Sequence, residues 1–360
     1  MCIKFQQLAA EHARIPQEYF LKNSLEKFVG PSQLMWIKYQ PIKLARFWIL
    51  ETEAITLKEC RKERFFRFTL NFHSFKPKGF AMTYKTILVH VDQSKHAATR
   101  IKIAAQIAIT DNAHLVGAAM TGISRFIYQD SAFGVSGSIV ATHIDALNES
   151  AKQALAEFES IAKSMGVLSY ETRLVDDEPE GGLVLQARYS DLVVVSQTDP
   201  DDSLSRLFSD LPEYVMLNCA RPVLVVPYAG RFNQIGSNVL VAWDGSMEAT
   251  RSISNAIPLL KRAKKVTIVV FNSTARYDTH GEQPGADIAL FLARHNVKVE
   301  VLQQTTSEDI GNALLSLAAD MQSDLLVMGG YGHTRFREVL LGGVTMTLLK
   351  TMTVPVVMSH

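Results

Sequence analysis

From residue 86 onward, short runs of consecutive apolar residues alternate with longer stretches in which apolar residues return every three or four positions. The first run, Thr86-Ile87-Leu88-Val89-His90-Val91, ends at Asp92. Gln93-Ser94 then opens a helical pattern with Ala97, Ile101, Ala104, Ala105 and Ala108 on one face. The pattern goes on to predict a strand at Ala113–Ala119, a long helix at about 139–165, a strand at about 167–175 and a helix at 181–189. The strand Asp191–Val195, a helix at 203–219 and the strand Val223–Val226 complete the series. Strands that are apolar at every position need cover on both faces. The β-α-β order therefore predicts an α/β fold, a parallel sheet between layers of helices.

The same order restarts at Asn238. Val239-Leu240-Val241-Ala242-Trp243 ends in Asp244, and Gly245-Ser246 opens the next helix. Further strands are predicted at Val266–Phe271, Val297–Gln303, Asp324–Met328 and Val356–Met358. In each half an Asp opens the fourth strand and a Pro precedes the last one 31 residues later: Asp191 with Pro222, Asp324 with Pro355. Asp92 to Asp191 spans 99 residues and Asp244 to Asp324 spans 80, so the first copy carries about 19 extra residues, mostly between its second and third strands. The chain reads as a tandem duplication, residues 82–228 and 237–360, with a hinge near Tyr228–Gly236.

Residues 1–81 depart from this pattern. They hold 14 of the 31 aromatic residues, two of the 20 glycines, and 14 Lys and Arg against 7 Glu. This atypical leader is expected to be a translated upstream region that is not native, with Met82 as the start, or a poorly ordered segment. Basic residues interleaved with aromatics can also serve as a membrane-surface or nucleic-acid arm. The leader's balance of +7 leaves −6 on the remainder, so the two-copy body gives no electrostatic case for nucleic acid. Apolar runs are too short to span a bilayer. Cys2, Cys60 and Cys219 form no metal-ligand spacing, and a reducing, cytoplasmic setting is expected.

The segment most informative for chemistry follows the fourth strand of the second copy. Gly329, Gly330 and Gly332 lie at the C-terminal end of a buried parallel strand, the edge where open α/β sheets bind ligands. Glycines there let a ligand approach the main chain. Gly342 and Gly343 precede a short helix at about 344–352, whose free N–H groups and dipole favour phosphate oxygens. His333, Arg335 and Arg337 are nearby cationic candidates, and Glu338 suits a surface pair with either arginine. A strand-to-helix loop whose glycines serve only tight turns is the plainer reading of a bare G-x-x-G. The full spacing G-x-x-G-x9-G at Gly329, Gly332 and Gly342, with Asp244 ending the first strand, is more specific.

That segment resembles the nucleotide loop of the universal stress protein family, whose ATP-binding members show G-x-x-G-x9-G followed by Ser or Thr. The resemblance covers both copies, from about residue 83 to 360. It implies two tandem doubly wound five-stranded parallel sheets in the order 3-2-1-4-5, with ATP, and Mg2+ with it, between the first- and fourth-strand edges. It places Asp244 near the ribose and phosphates or their metal, and Phe271 near the adenine. It also implies a link to stress survival and pairing through the fifth strands, Val223–Val226 with Val356–Met358. The candidate cofactor-binding set is Ala242, Trp243, Asp244, Phe271, Gly329, Gly330, Gly332, His333, Gly342, Gly343, Val344 and Thr345. No residue is assigned as catalytic. Gly343 stands where the pattern expects a hydroxyl, and Thr345 is a candidate substitute.

The first copy reads Ser196-Gln197-Thr198-Asp199-Pro200-Asp201-Asp202 after its fourth strand, with carboxylates where the second has glycines. It is read as a degenerate copy that packs against the second. Asp92 is then a helix-capping neighbour and His90 a buried, hydrogen-bonded histidine. Three functions remain open. The first is a nucleotide-dependent regulatory protein with ATP in the C-terminal domain only and an unidentified protein partner. The others are a nucleotide-independent interaction module and a weak nucleotide-hydrolysing enzyme. The sequence has no P-loop lysine, no G-x-S-x-G and no H-E-x-x-H, which argues against a dedicated NTPase. The two copies would form an internal pseudo-dimer, with a homodimer as a further expected state.

Overall fold

The computed structural model describes residues 83–122, 137–202, 210–273, 283–331 and 343–360. The leader, the start of the helix predicted at 203, and Gly332, His333, Arg335, Arg337, Glu338 and Gly342 lie outside the described residues. The first copy runs β1 (Thr86–His90), α1 (Ala97–Asp111), β2 (His114–Met120), α2 (Gly137–Met165), β3 (Tyr170–Val175), α3 (Pro179–Ala187), β4 (Leu192–Ser196), α4 (Leu211–Asn218) and β5 (Val223–Val226). The second runs β6 (Asn238–Ala242), α5 (Met247–Leu260), β7 (Lys265–Phe271), α6 (Ala286–Arg294), β8 (Glu300–Gln304), α7 (Ile310–Asp320), β9 (Leu325–Gly329), α8 (Val344–Thr351) and β10 (Val356–Ser359). Much of the first copy's extra length goes into α2, with 29 residues against 9 in α6.

Each copy has the order 3-2-1-4-5, but the two sheets are not separate. β5 pairs antiparallel with β10, with Val225 opposite Val356, Leu224 opposite Val357 and Val223 opposite Met358. The result is one ten-stranded mixed sheet, β3-β2-β1-β4-β5-β10-β9-β6-β7-β8. The expected pairing of the fifth strands joins the two five-stranded parallel halves into this one sheet, antiparallel only at the joint. All three of those pairs are fully buried, so the joint is part of the core.

Side chains alternate across the sheet as the strand period of two requires. Ile87, Val89, Val239 and Val241 face α1, α2, α5 and α6, whereas Leu88 and Leu240 face α3, α4, α7 and α8. Both apolar layers run through both copies. Polar links add to the joint: Tyr84 Oη donates to the Asn255 carbonyl (2.8 Å), and Arg262 pairs with Asp111.

The two landmark aspartates sit at the N-terminal ends of the strands. Asp324 accepts the backbone N–H groups of Gly236, Ser237 and Asn238 at 2.9–3.0 Å. Asp191 does the same for Lys85 and Thr86. They tie down β6 and β1 and leave the opposite, C-terminal edge for the site. Among the described residues no helix is long and apolar enough to cross a membrane.

Candidate functional site

In the second copy β6 pairs on one side with β7 and on the other with β9. The chain leaves β6 in one direction and returns through β9 on the other side, which opens a crevice at their C-terminal ends. Ala242, at the end of β6, and Phe271, at the end of β7, are half-buried on the α7/α8 side, together with Val344. Trp243 continues the ladder by donating its N–H to Val269 (3.0 Å), and its ring packs on the opposite, α5/α6 side.

Asp244 is exposed at the rim. Its Oδ1 accepts the Ser246 N–H (3.0 Å) across Gly245, whose φ of +77° makes the turn. Ser246 Oγ then caps α5 by accepting the Ala249 N–H (3.1 Å). Gly329 lies against this first turn. A Cβ there would stand 2.5 Å from the Ala249 nitrogen. Glu248 is buried in the same turn, and its Oε2 has no hydrogen-bond partner among the described residues. Its only sequence signal is an acidic residue at a helix start, where the dipole favours it.

Gly330 is buried for packing. A Cβ on it would meet Met216 Sδ of α4 at 2.4 Å, and its N–H donates to the Ser359 carbonyl (2.9 Å). Tyr331 has a φ of +47°, a left-handed conformation that costs a bulky residue about 1–3 kcal/mol. Two contacts hold it. Its N–H donates to Thr345 Oγ1 (3.1 Å) and its hydroxyl to Glu213 Oε1 of the first copy (2.6 Å). The Thr345 hydroxyl, expected as a substitute phosphate ligand, thus accepts a main-chain N–H and is 2% exposed. Gly343 is the N-cap residue of α8 and brings no capping side chain of its own; the first N–H groups of a helix are the donors that suit an anion. Among the described residues no three His, Cys, Asp or Glu could hold a metal by themselves.

The equivalent place in the first copy is filled by its own side chains. Arg100 sits eight residues after Asp92, as Ser252 does after Asp244, and is 1% exposed. Its Nε donates to the His90 carbonyl (2.7 Å), Nη1 to Ser196 Oγ (2.7 Å) and Nη2 to Asp92 Oδ1 (2.9 Å). Asp92 Oδ1 also accepts from the Ser94 N–H and hydroxyl. Burial opposes ionisation of Asp92, but Arg100, His90 and Ser94 outweigh it and hold the carboxyl well below the usual range. Asp199, which takes the place of Gly332, is buried and clamped by Lys95 Nζ (2.8 Å) and His96 Nε2 (2.7 Å). The Lys95 hydrogen bond foremost, then that of His96, also keeps it well below the usual range.

His90 is buried as expected, but its Nδ1 lies 3.5 Å from Asp92 Oδ2 and makes no hydrogen bond among the described residues. Burial pushes its pKa down to about 4. The unfolded chain takes up this proton near pH 6.5 and the folded one only near pH 4, so stability falls as pH drops through that window. The loss expected from His90 is roughly 3 kcal/mol between pH 7 and pH 4. Urea titrations of the wild type and His90→Gln across that range check it. An unchanged pH slope in the variant would contradict it.

These features define a doubly wound α/β protein built from two unequal copies of one domain, the first with its own side chains packed into the place equivalent to the second copy's crevice. The chain belongs to the universal stress protein family, whose profile matches residues 83–227 and 237–360. A solved universal stress protein from Archaeoglobus fulgidus is 16% identical, covers 76% of this chain and 94% of its own, and superimposes with a TM-score of 0.60. A universal stress protein in complex with cAMP is 27% identical over 40% of this chain and 97% of its own, with a TM-score of 0.29. An Archaeoglobus fulgidus universal stress protein in complex with dAMP is 19% identical over 41% and 98%, with a TM-score of 0.28. No curated protein sequence matches the chain.

Proposed function

We propose that the second copy binds ATP, carrying Mg2+ on its phosphates, and that occupancy of this one site is the signal the protein passes to a partner. The asymmetry of the two crevices carries this reading. Where the first copy has a buried guanidinium and a clamped carboxylate, the second offers exposed Asp244, side-chain-free Gly329 and the uncapped start of α8 at Gly343. Adenine would lie toward Phe271 and Ala242 on the α7/α8 side, phosphates toward Gly343, and the ribose or metal by Asp244.

Mass spectrometry of small molecules released on denaturation, followed by calorimetry with Mg-ATP, tests the reading. Bound ATP or ADP at one per chain, lost in Asp244→Ala, is the expected result. Protein that carries no nucleotide and binds no Mg-ATP at millimolar concentration would overturn it. A nucleotide-independent interaction module, favoured by the missing hydroxyl at Gly343, would then be the better account. Gly343→Ser gives a gain-of-function check. A restored hydroxyl on a charged phosphate is worth about 1.5–3 kcal/mol, so Mg-ATP should bind tenfold or more tightly, read by the same calorimetry.

A further inference from the structure

We propose that the first copy is a working part of the second copy's crevice: it has given up its own ligand site and holds both walls of the other. The proposal rests on the nucleotide reading above. One wall is the turn after β9. There Gly330 packs on Met216, and the Tyr331 hydroxyl donates to Glu213 Oε1 at 2.6 Å, both partners lying on α4 of the first copy. The other wall is α8, whose start carries Gly343. Gln197 of the first copy, 1% exposed, donates its Nε2 to the Leu349 carbonyl of α8 at 3.0 Å. That carbonyl is among the last four of the helix, which have no partner within it. The two walls are joined by the Tyr331 N–H on Thr345 Oγ1.

The contacts are related by the pseudo-two-fold axis of the joint. Gln197 follows β4 as Gly330 follows β9, and each meets the last helix of the other copy. The chemistry differs. On the ligand-binding side the residue is a glycine against an apolar side chain. On the supporting side it is a side-chain amide fixed at both ends, its Nε2 on Leu349 and its Oε1 accepting the Tyr228 N–H at 3.3 Å, while the backbone N–H of Gln197 donates to the Val226 carbonyl. Two residues on, Asp199 is gripped by Lys95 and His96. The ion cluster that fills the first crevice thereby anchors the segment that holds α8. Gln197, Glu213 and Asp199 are positioning residues for a site that none of them touches.

The test uses the full chain with Gln197→Met, which keeps volume and removes the bond, and Tyr331→Phe, which removes only the hydroxyl. Amide hydrogen exchange over residues 343–352 is measured without nucleotide, and Mg-ATP affinity by calorimetry. Both variants should keep the wild-type melting temperature to within a few degrees, exchange faster in α8, and bind Mg-ATP roughly three- to tenfold more weakly. Glu213→Gln, which keeps an acceptor for the Tyr331 hydroxyl, should behave nearly as the wild type. If Gln197→Met fails to fold, Tyr331→Phe against Glu213→Gln decides alone. Unchanged exchange and affinity in the folded variants would overturn the proposal. If the wild type binds no Mg-ATP, the nucleotide reading fails by itself. Hydrogen exchange then still decides whether the first copy holds these walls.

Discussion

Arg100→Ala is expected to lower the unfolding free energy by about 2–4 kcal/mol at neutral pH, less than the full cost of breaking a buried ion pair because Asp92, unlike Arg100, is only half-buried. Arg100 is 1% exposed and its guanidinium is the donor to three acceptors: the His90 carbonyl, Ser196 Oγ and Asp92 Oδ1. Alanine leaves all three without it, one of them a carboxylate. In the wild type Asp92 is held well below the usual carboxylate range. Its contribution is thus present above pH ~4 and lost only as pH falls through the folded value. In the variant burial acts on Asp92 without Arg100, its folded pKa rises, and protonation favours the folded state. The gap between wild type and variant should therefore narrow toward acidic pH. Urea unfolding of both proteins at pH 7.5 and 4.5 measures this. A loss below about 1 kcal/mol, the range of exposed pairs, would show that the cluster is not the internal support described.

Gly329→Ala should cost about 2–4 kcal/mol and, on the nucleotide site proposed above, remove Mg-ATP binding with it. The added carbon would lie 2.5 Å from the Ala249 nitrogen and 2.9 Å from Glu248 Cβ. The closest atom is backbone in the first turn of α5, so no rotamer change relieves the overlap. Either β9 or the start of α5 must move, and both border the crevice. A melting temperature lower by roughly 5–15 °C is expected. Gly330→Ala is the useful contrast, since its clash is with the flexible Met216 side chain. It should cost less. Equal stability of Gly329→Ala and wild type would mean that β9 and α5 are not in the close contact seen here.

The strands were legible because a strand buried on both faces is apolar at every position. Strand starts are misplaced where burial comes from elsewhere. The third strands were predicted to start near 167 and at Val297, yet begin at Tyr170 and Glu300. Val167 and Val297 are buried, but each closes the preceding helix by donating its N–H to Ala162 or Leu292. A local apolar run does not distinguish a helix end from a strand start.

The candidate site residues divide in the same way. Asp244, Gly329 and Gly343 lie at strand and helix ends that periodicity marks. Arg100 was hidden on the buried face of α1 among Ala97, Ile101 and Ala104, and its Ser196 contact is 96 positions away. The sequence shows three aspartates after β4 as a repulsive stretch. It does not show that Asp199 is already paired with Lys95 and His96, 103 residues earlier in the case of His96. The 118-residue reach from Tyr331 to Glu213 likewise leaves no periodic trace.

The antiparallel joint of β5 and β10 also bears on how such a protein can diverge. When two identical chains meet through a two-fold contact, every substitution appears on both sides at once. A mutation that spoils the ligand site then spoils it twice. With both copies in one chain, association no longer depends on protein concentration, and each side of the axis changes independently. One side can accumulate residues such as Arg100 and Asp199, incompatible with a ligand, while the other keeps its glycines. The covalent link thereby converts a symmetric assembly into a division of labour.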